Sequence, residues 1–303
     1  MLEQMEDFKS GFVTLVGRPN SGKSTLLNAV VGEKIAITSN TPQTTRHRLR
    51  AIYDRDDLQM ILVDTPGLHK PHDALGEELN HSAIKALEDV DVVAMLVDAT
   101  KPAGKGDAWI AEQLAQVDCP RILVVTKADI ATQQQVDAQI ERMQEMLDFD
   151  DVVVVSAKDG FNVNAFIDTV ANFLPPGPRW FPKDMTTDQP LEVLVAEFIR
   201  EKILYLTHDE VPHSIGVQTE EIKYDKAKKM YRIWAVVYTE RESQKGIIIG
   251  KGGELIKQIG SDARQDLERM LGKKVFLDLS VKVKKAWRRD AAQIKRFGYG
   301  EGL

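Results

Sequence analysis

The sequence predicts an α/β chain of two domains: a mostly parallel sheet covered by helices on both faces, then a smaller α+β unit. Three observations carry this reading. At 303 residues the chain exceeds what one core of ordinary size organises. From Phe12 onward, short β-branched runs alternate with helix-like stretches, the pattern of right-handed βαβ crossovers. Leu174-Pro175-Pro176-Gly177-Pro178 then interrupts the pattern, because neither a helix nor a central strand continues through it.

Strands are expected at Phe12–Val16, Gln59–Val63, Val92–Val97, Arg121–Val125 and Val152–Val155, each followed by turn or polar residues. Their largely apolar character suits strands buried on both faces. A hairpin partner for the second is expected at Arg48–Tyr53, with Asp54–Asp57 as the turn. Ligands of such sheets sit outside the carboxyl ends of the strands, so residues just past these runs are the candidate site residues. Beyond the proline break, the spacing predicts a helix over Leu191–Leu206 and strands over Ser214–Glu221 and Met230–Thr239. Ile247–Ile249, a glycine loop Gly250–Gly253, a helix through Leu271 and a strand Val275–Val283 follow. The expected divisions are a first domain over 8–176, a linker over 177–190, a second domain over 191–285 and a basic tail over 286–303.

Composition narrows the function classes. Hydrophobic residues make up 43% and charged residues 28%, as in ordinary globular proteins. A single cysteine, Cys119, excludes a disulfide framework and a cysteine-built zinc site. No apolar run approaches the ~18–20 residues that span a bilayer, and the N-terminal MLEQMEDFKSGF lacks a signal-peptide pattern, so cytoplasmic residence is expected. The net charge of −6 conceals a split: residues 1–180 carry 17 basic and 27 acidic side chains, residues 181–303 carry 23 and 19. Between Lys273 and Arg296 nine basic residues face two acidic ones, Asp278 and Asp290. A polyanion partner for the C-terminal part is one reading, a solvated basic face the other.

Gly17-Arg18-Pro19-Asn20-Ser21-Gly22-Lys23-Ser24, followed by Thr25, matches G-x-x-x-x-G-K-[ST] between a predicted strand and an apolar helix. The glycines let backbone N–H groups close around phosphate oxygens, and the helix N-terminus adds positive potential. Lys23 would reach the β- and γ-phosphates and the Ser24 hydroxyl would ligate magnesium. Asp64-Thr65-Pro66-Gly67 ends the next core strand, where the carboxylate can hold magnesium through water and the Gly67 amide can approach the γ-phosphate. Between them lies the polar stretch Asn40-Thr41-Pro42-Gln43-Thr44-Thr45-Arg46-His47. It reads either as a surface connection or as a mobile loop offering a threonine, Thr45 in preference to Thr44, to the metal while the γ-phosphate is present. Lys23, Thr45 and Gly67 are thus the candidates to act at the reacting phosphate.

Thr126-Lys127-Ala128-Asp129 follows another strand. Its aspartate can accept hydrogen bonds from guanine N1–H and the exocyclic amine, a pattern adenine does not offer. Ser156-Ala157-Lys158 follows the last strand and can place a backbone N–H against guanine O6. Together these motifs resemble the translation-factor-related P-loop GTPases over residues 11–174, which implies GTP and GDP as ligands. Thr126 stands where those proteins most often have asparagine, which puts affinity in question more than base choice. Leu68 follows D-x-x-G where Ras-like members carry a water-orienting glutamine, so slow intrinsic hydrolysis is expected. Asn20 matches the position that holds potassium in some relatives with a hydrophobic residue at the Leu68 position; the alternative is that it only bonds its own loop.

Ile247-Ile248-Ile249-Gly250-Lys251-Gly252-Gly253-Glu254-Leu255-Ile256 resembles the core of a KH domain, and the element order suggests the type II arrangement. In that module the G-x-x-G loop clamps about four single-stranded nucleotides because glycines admit close phosphate approach. Gly250, Lys251, Gly252 and Gly253 would form the clamp, with Ile248 and Ile249 flooring a groove for bases; a plain helix–turn–helix packing is the alternative. The basic run Val281–Arg289 can track further phosphates, with Trp287 either stacked on a base or packed against the domain. With Gln43–His47 in the loop between the phosphate motifs, the arrangement looks like the Era-type GTPases over nearly the whole chain, from the phosphate loop to the terminal strand Leu277–Lys282 and the tail Phe297–Leu303. That resemblance implies a GTP-hydrolysing switch that binds the 3′ region of 16S ribosomal RNA, acts in 30S subunit biogenesis, and sits in the cytoplasm with peripheral association at the inner face of the cell membrane. A monomer is expected. The rival class is a constitutive RNA-binding protein whose nucleotide site is structural.

Overall fold

The computed structural model describes residues 8–68, 73–88 and 90–299; the expectations for the first seven residues and for the last four of the tail lie outside them. Six strands, β1 (Lys9–Val16), β2 (Leu49–Arg55), β3 (Leu58–Asp64), β4 (Val92–Asp98), β5 (Arg121–Thr126) and β6 (Asp151–Val154), form one sheet in the order β2-β3-β1-β4-β5-β6. Only β2 runs antiparallel. Helices α1 (Lys23–Val31), α2 (Ala74–Lys85), α3 (Lys105–Leu114) and α4 (Gln133–Gln144) connect strands of this sheet, and α5 (Val163–Phe173) follows β6.

The continuous apolar runs follow from burial on both faces. In β4, Val92, Ala94 and Leu96 join the core beneath α1 and α5, while Val93, Met95 and Val97 join the opposite core with Ile110 and Met143. The hairpin turn is shorter than the sequence suggested: pairing continues to Arg55↔Leu58, leaving only Asp56 and Asp57 in the loop. Asp54 stays in the ladder because its carboxylate accepts from Gln59 Nε2 at 3.0 Å across the pair Asp54↔Gln59. The edge strand β2 is covered by the connecting segment: Ile52 N–H donates to Thr186 O at 2.8 Å and Thr187 Oγ1 donates to Arg50 O at 2.7 Å. An open edge would invite foreign strands, and this segment closes it.

The C-terminal part is α6 (Leu191–Leu206), a short α7 (Val211–Ser214), β7 (Gly216–Asp225), β8 (Met230–Thr239), α8 (Glu242–Ile249), α9 (Glu254–Leu271) and β9 (Lys274–Val283). Its sheet is ordered β7-β8-β9, with β8 and β9 parallel. The first of these strands begins later and ends later than expected. Ser214 closes the preceding helical turn, its hydroxyl donating to Val211 O, and a register shift between Thr219 and Glu221 lets pairing continue to Asp225. The basic tail is folded, carrying a single helical turn over Trp287–Arg289 and α10 (Ala291–Arg296).

Trp287 is fully buried with Leu75 and Leu79 of α2 and with Ile294, Phe297 and Tyr299, and its Nε1–H donates to Ser214 O at 2.9 Å. It is therefore a packing residue with no face for a base. Arg288 is likewise committed, within 2.9 Å of Glu240 and 3.4 Å of Asp73.

Candidate functional site

The phosphate motif forms the turn between β1 and α1. Gly17 has φ +153°, and a Cβ there would lie 2.5 Å from Leu96 O; Gly22 takes the left-handed region at +97°. The turn thus has the shape a phosphate cradle needs, with the α1 N-terminus opening onto it. Thr25 lies in the first turn of α1, and Arg18 is held aside by Asp107 at 3.0 Å. Lys23 is buried, and its ammonium donates to Gly17 O at 3.0 Å and Arg18 O at 3.1 Å. Burial pushes its pKa down to about 8 against the pull of Asp64.

Asp64, at the end of β3, is fully buried. Its Oδ2 accepts from Ser24 Oγ at 2.6 Å and from Thr45 Oγ1 at 3.2 Å, and the two hydroxyls stand 3.0 Å apart. Its Oδ1 is buried without a partner among the described residues, and burial raises its pKa despite the nearby Lys23. One buried carboxylate with an orphaned oxygen and two convergent hydroxyls suits a hard divalent cation that keeps several waters. Thr44 turns the other way, its hydroxyl 2.6 Å from both Ser39 Oγ and Thr41 O. Thr65 is tied to Leu15 O at 2.8 Å, Pro66 is buried, and a Cβ on Gly67 would fall 2.8 Å from Pro19 N. Gly67 is therefore where the second loop can approach the phosphate loop. Leu68 is buried in the apolar core.

At the other end of the cleft, Thr126 braces the phosphate loop: its hydroxyl lies 2.8 Å from Ser21 O and 3.0 Å from Val97 O. Lys127, at φ +62°, pairs with Asp98 at 2.7 Å. Asp129 is exposed and accepts from the buried Ser156 Oγ at 3.0 Å, which orients its carboxylate; Ala157 and the exposed Lys158 continue the same rim. Asn20, also left-handed, donates from Nδ2 to Asn40 O at 2.7 Å, so its amide reaches the neighbouring loop rather than bonding only its own.

The sequence read 40–47 as a polar loop, on the surface or mobile. The structure buries Arg46 and His47 against the C-terminal part. Arg46 Nη1 donates to Ile215 O at 2.6 Å, its guanidinium lies over the rings of Trp287 and Tyr299, and His47 meets Tyr299 edge-on. Nothing in the local pattern marks these two as buried, because their partners lie far along the chain.

The second glycine loop joins α8 to α9 with Gly250, Gly252 and Gly253 at φ +74°, +62° and +83°. A Cβ on Gly250 would lie 2.8 Å from Leu255 Cβ, while Gly252 and Gly253 face open space beside the exposed Lys251. Ile248 is completely buried in the domain core and cannot floor a groove; Ile249 is half-buried. The groove next to the loop is instead lined by Ile256, Lys257, Gly260 and Arg264 on α9 and by Leu277 and Leu279 on β9. The signal for these was present in the strand alternation of β9, but only the pairing of β9 beside α9 brings them together.

A family model for 50S ribosome-binding GTPases matches residues 12–127, and a KH-domain model matches residues 210–288. GTPase Era of Alkaliphilus metalliredigens is 46% identical over 292 residues, which cover 96% of this chain and 99% of that protein. A crystal structure of a variant of Aquifex aeolicus Era bound to GDP·AlF4⁻ is 39% identical, covers 97% of this chain and 100% of its own, and superposes with a TM-score of 0.93. A structure of Era in complex with MgGDPNP and nucleotides 1506–1542 of 16S ribosomal RNA matches with the same identity and coverage and a TM-score of 0.92.

Proposed function

The chain belongs to the Era family of GTPases, and from that premise we propose that it couples GTP hydrolysis in the cleft of its first domain to binding of the 3′ region of 16S ribosomal RNA by its KH groove, in the service of 30S subunit biogenesis. The observation that carries the first half is the convergence of Ser24, Thr45 and Asp64 beside Lys23. Lys23 would exchange its two backbone carbonyls for β- and γ-phosphate oxygens. Ser24 and Asp64 would hold magnesium, Thr45 would complete its shell once the γ-phosphate is present, and the Gly67 amide would meet that phosphate. Magnesium, when bound, supplies the positive charge that steadies the transferring phosphoryl group. Leu68 has no group to orient water and is buried, which supports slow intrinsic turnover. Asp129 and the 156–158 loop would read guanine.

The open glycine loop beside an apolar groove with Lys251, Lys257 and Arg264 supports single-stranded RNA as the second ligand. Potassium at Asn20, a monomeric state and cytoplasmic residence with peripheral contact at the cell membrane complete the proposal and rest on the family resemblance; no helix among the described residues is long and apolar enough to cross a membrane.

The test is RNA affinity by fluorescence anisotropy, with GDP and with GDPNP, for the unchanged protein and for the double variant Lys251→Asp/Gly252→Asp. Tighter binding with GDPNP is expected for the unchanged protein, and equal affinities would leave a constitutive RNA binder. The variant should lose most RNA affinity while binding GTP normally, and its salt dependence should flatten by roughly 0.7 per lost phosphate contact.

A further inference from the structure

The loop that carries Thr45 is seated on the C-terminal domain. Ile37 is buried in that domain's core with Val195 and Ile199 of α6. Thr38 N–H donates to Glu201 Oε1 at 3.0 Å. Lys34, just before the loop, bridges Glu201 and Asp266, the latter at 2.7 Å. In the middle of this seat lies Arg200, with no exposed surface. Its Nε donates to Glu197 Oε1 at 2.8 Å, its Nη2 to Glu197 Oε2, and the same Nη2 donates to the carbonyl oxygen of Thr44.

We propose that Arg200 is a positioning residue for GTP hydrolysis: from the first helix of the KH domain it fixes the Thr44 carbonyl, and through the Thr44–Thr45 peptide it holds the Thr45 hydroxyl against Ser24 and Asp64. The proposal rests on the reading of Thr45 as a magnesium ligand given above. The peptide unit is planar, so anchoring the Thr44 oxygen fixes the plane from which Thr45 departs. Thr45 Oγ1 then stands 3.0 Å from Ser24 Oγ, and small rotations of that plane would carry it out of reach. Glu197 locks the guanidinium in a two-point contact through Nε and Nη2, which sets the direction of the second Nη2 N–H. Stability alone does not call for the arrangement, since a buried ion pair is often matched by apolar residues of the same volume. What an apolar pair would lack is the donor aimed at the loop.

The consequence is a selective effect. GDP does not need Thr45, whereas a γ-phosphate with its metal does. In Arg200→Met, affinity for GDPNP in the presence of magnesium should fall about tenfold or more, the scale of a lost charge-assisted hydrogen bond. GDP affinity should stay within about twofold on the same free-energy scale. The magnesium concentration that half-saturates single-turnover hydrolysis should rise, and excess magnesium should restore much of the rate. Arg200→Lys, which keeps the charge opposite Glu197 with fewer donors, should lie between the two. Equal losses for GDP and GDPNP, or no loss for either, would overturn the proposal. Should Arg200→Met fail to fold, the lysine variant decides by the same readings. If the unchanged protein shows no magnesium-dependent preference for GDPNP over GDP, the failure lies in the reading of Thr45 itself, and the proposal falls with it.

Discussion

The two ends of the nucleotide cleft are built on different principles. The end proposed to read the base is made within one domain: Thr126, Lys127, Asp129 and Ser156 stand at the ends of adjacent parallel strands, and their partners Ser21, Val97 and Asp98 belong to the same sheet and its loops. The γ-phosphate end is closed by a loop whose inner side offers Thr45 and whose outer side is anchored by Glu201, Arg200 and Ile215 of the other domain. On the proposed reading, choice of base would be a property of the sheet, while closure over the third phosphate would be a property of the joint between domains. A protein so divided can bind GDP in one domain and register GTP with two.

The largest test strikes the base end. In Asp129→Asn the amide's N–H can pair with the carbonyl that xanthine offers where guanine has its amine. Each unmatched buried pair costs ~1–3 kcal/mol, so GTP affinity should fall on the order of a hundredfold while XTP affinity rises. GDP and GDPNP should lose in equal proportion, because the change lies away from the closing loop. Competition titration with GTP and XTP measures this; unchanged selectivity would remove Asp129 from the base site.

A smaller effect is expected at the joint. Ile37 is 3% exposed, and Ile37→Ala leaves a cavity in the KH core worth ~2–4 kcal/mol of stability. The comparison sharpens if denaturant unfolding reports that loss while nucleotide titrations show GDPNP weakened several-fold and GDP untouched. It breaks if both nucleotides weaken alike, since the loop would then be held from its own side.

The same division explains what the amino-acid sequence made legible. Phosphate loop, DTPG, TKAD and SAK are short segments whose geometry is set by the strand each one follows, so residue type and spacing were enough to place them. Arg46 and His47 lay in a loop read as surface or mobile because what buries them, Ile215, Trp287 and Tyr299, lies some 170 to 250 positions away. Ile248 looked like a ligand-facing group, and Trp287 was open between base and packing, for the same reason: a local pattern gives a residue's chemistry and period, but which face is covered is set by tertiary packing. The groove beside the second glycine loop repeats the lesson, since Ile256 and Leu279 meet only through the placement of α9 on β9.

The smallest expected effect concerns Asn20, which spans the two principles. It sits in the phosphate loop, yet its amide donates to Asn40 O in the closing loop at 2.7 Å. Two roles are compatible with that position. As a tether alone, its loss removes one neutral hydrogen bond of ~0.5–1.5 kcal/mol, so Asn20→Ala should weaken GDPNP a few-fold in sodium and potassium alike. As a potassium ligand, it would bring a positive charge to the phosphates that Leu68 cannot supply, and charge at the reacting phosphoryl group lowers the barrier. Turnover of the unchanged protein should then rise several-fold when potassium replaces sodium at constant ionic strength, and Asn20→Ala should erase the difference. Phosphate release measured in the two salts separates the roles. An identical rate in both would leave Asn20 as a tether and would make the closing loop, seated by Arg200, the means of completing the phosphate end.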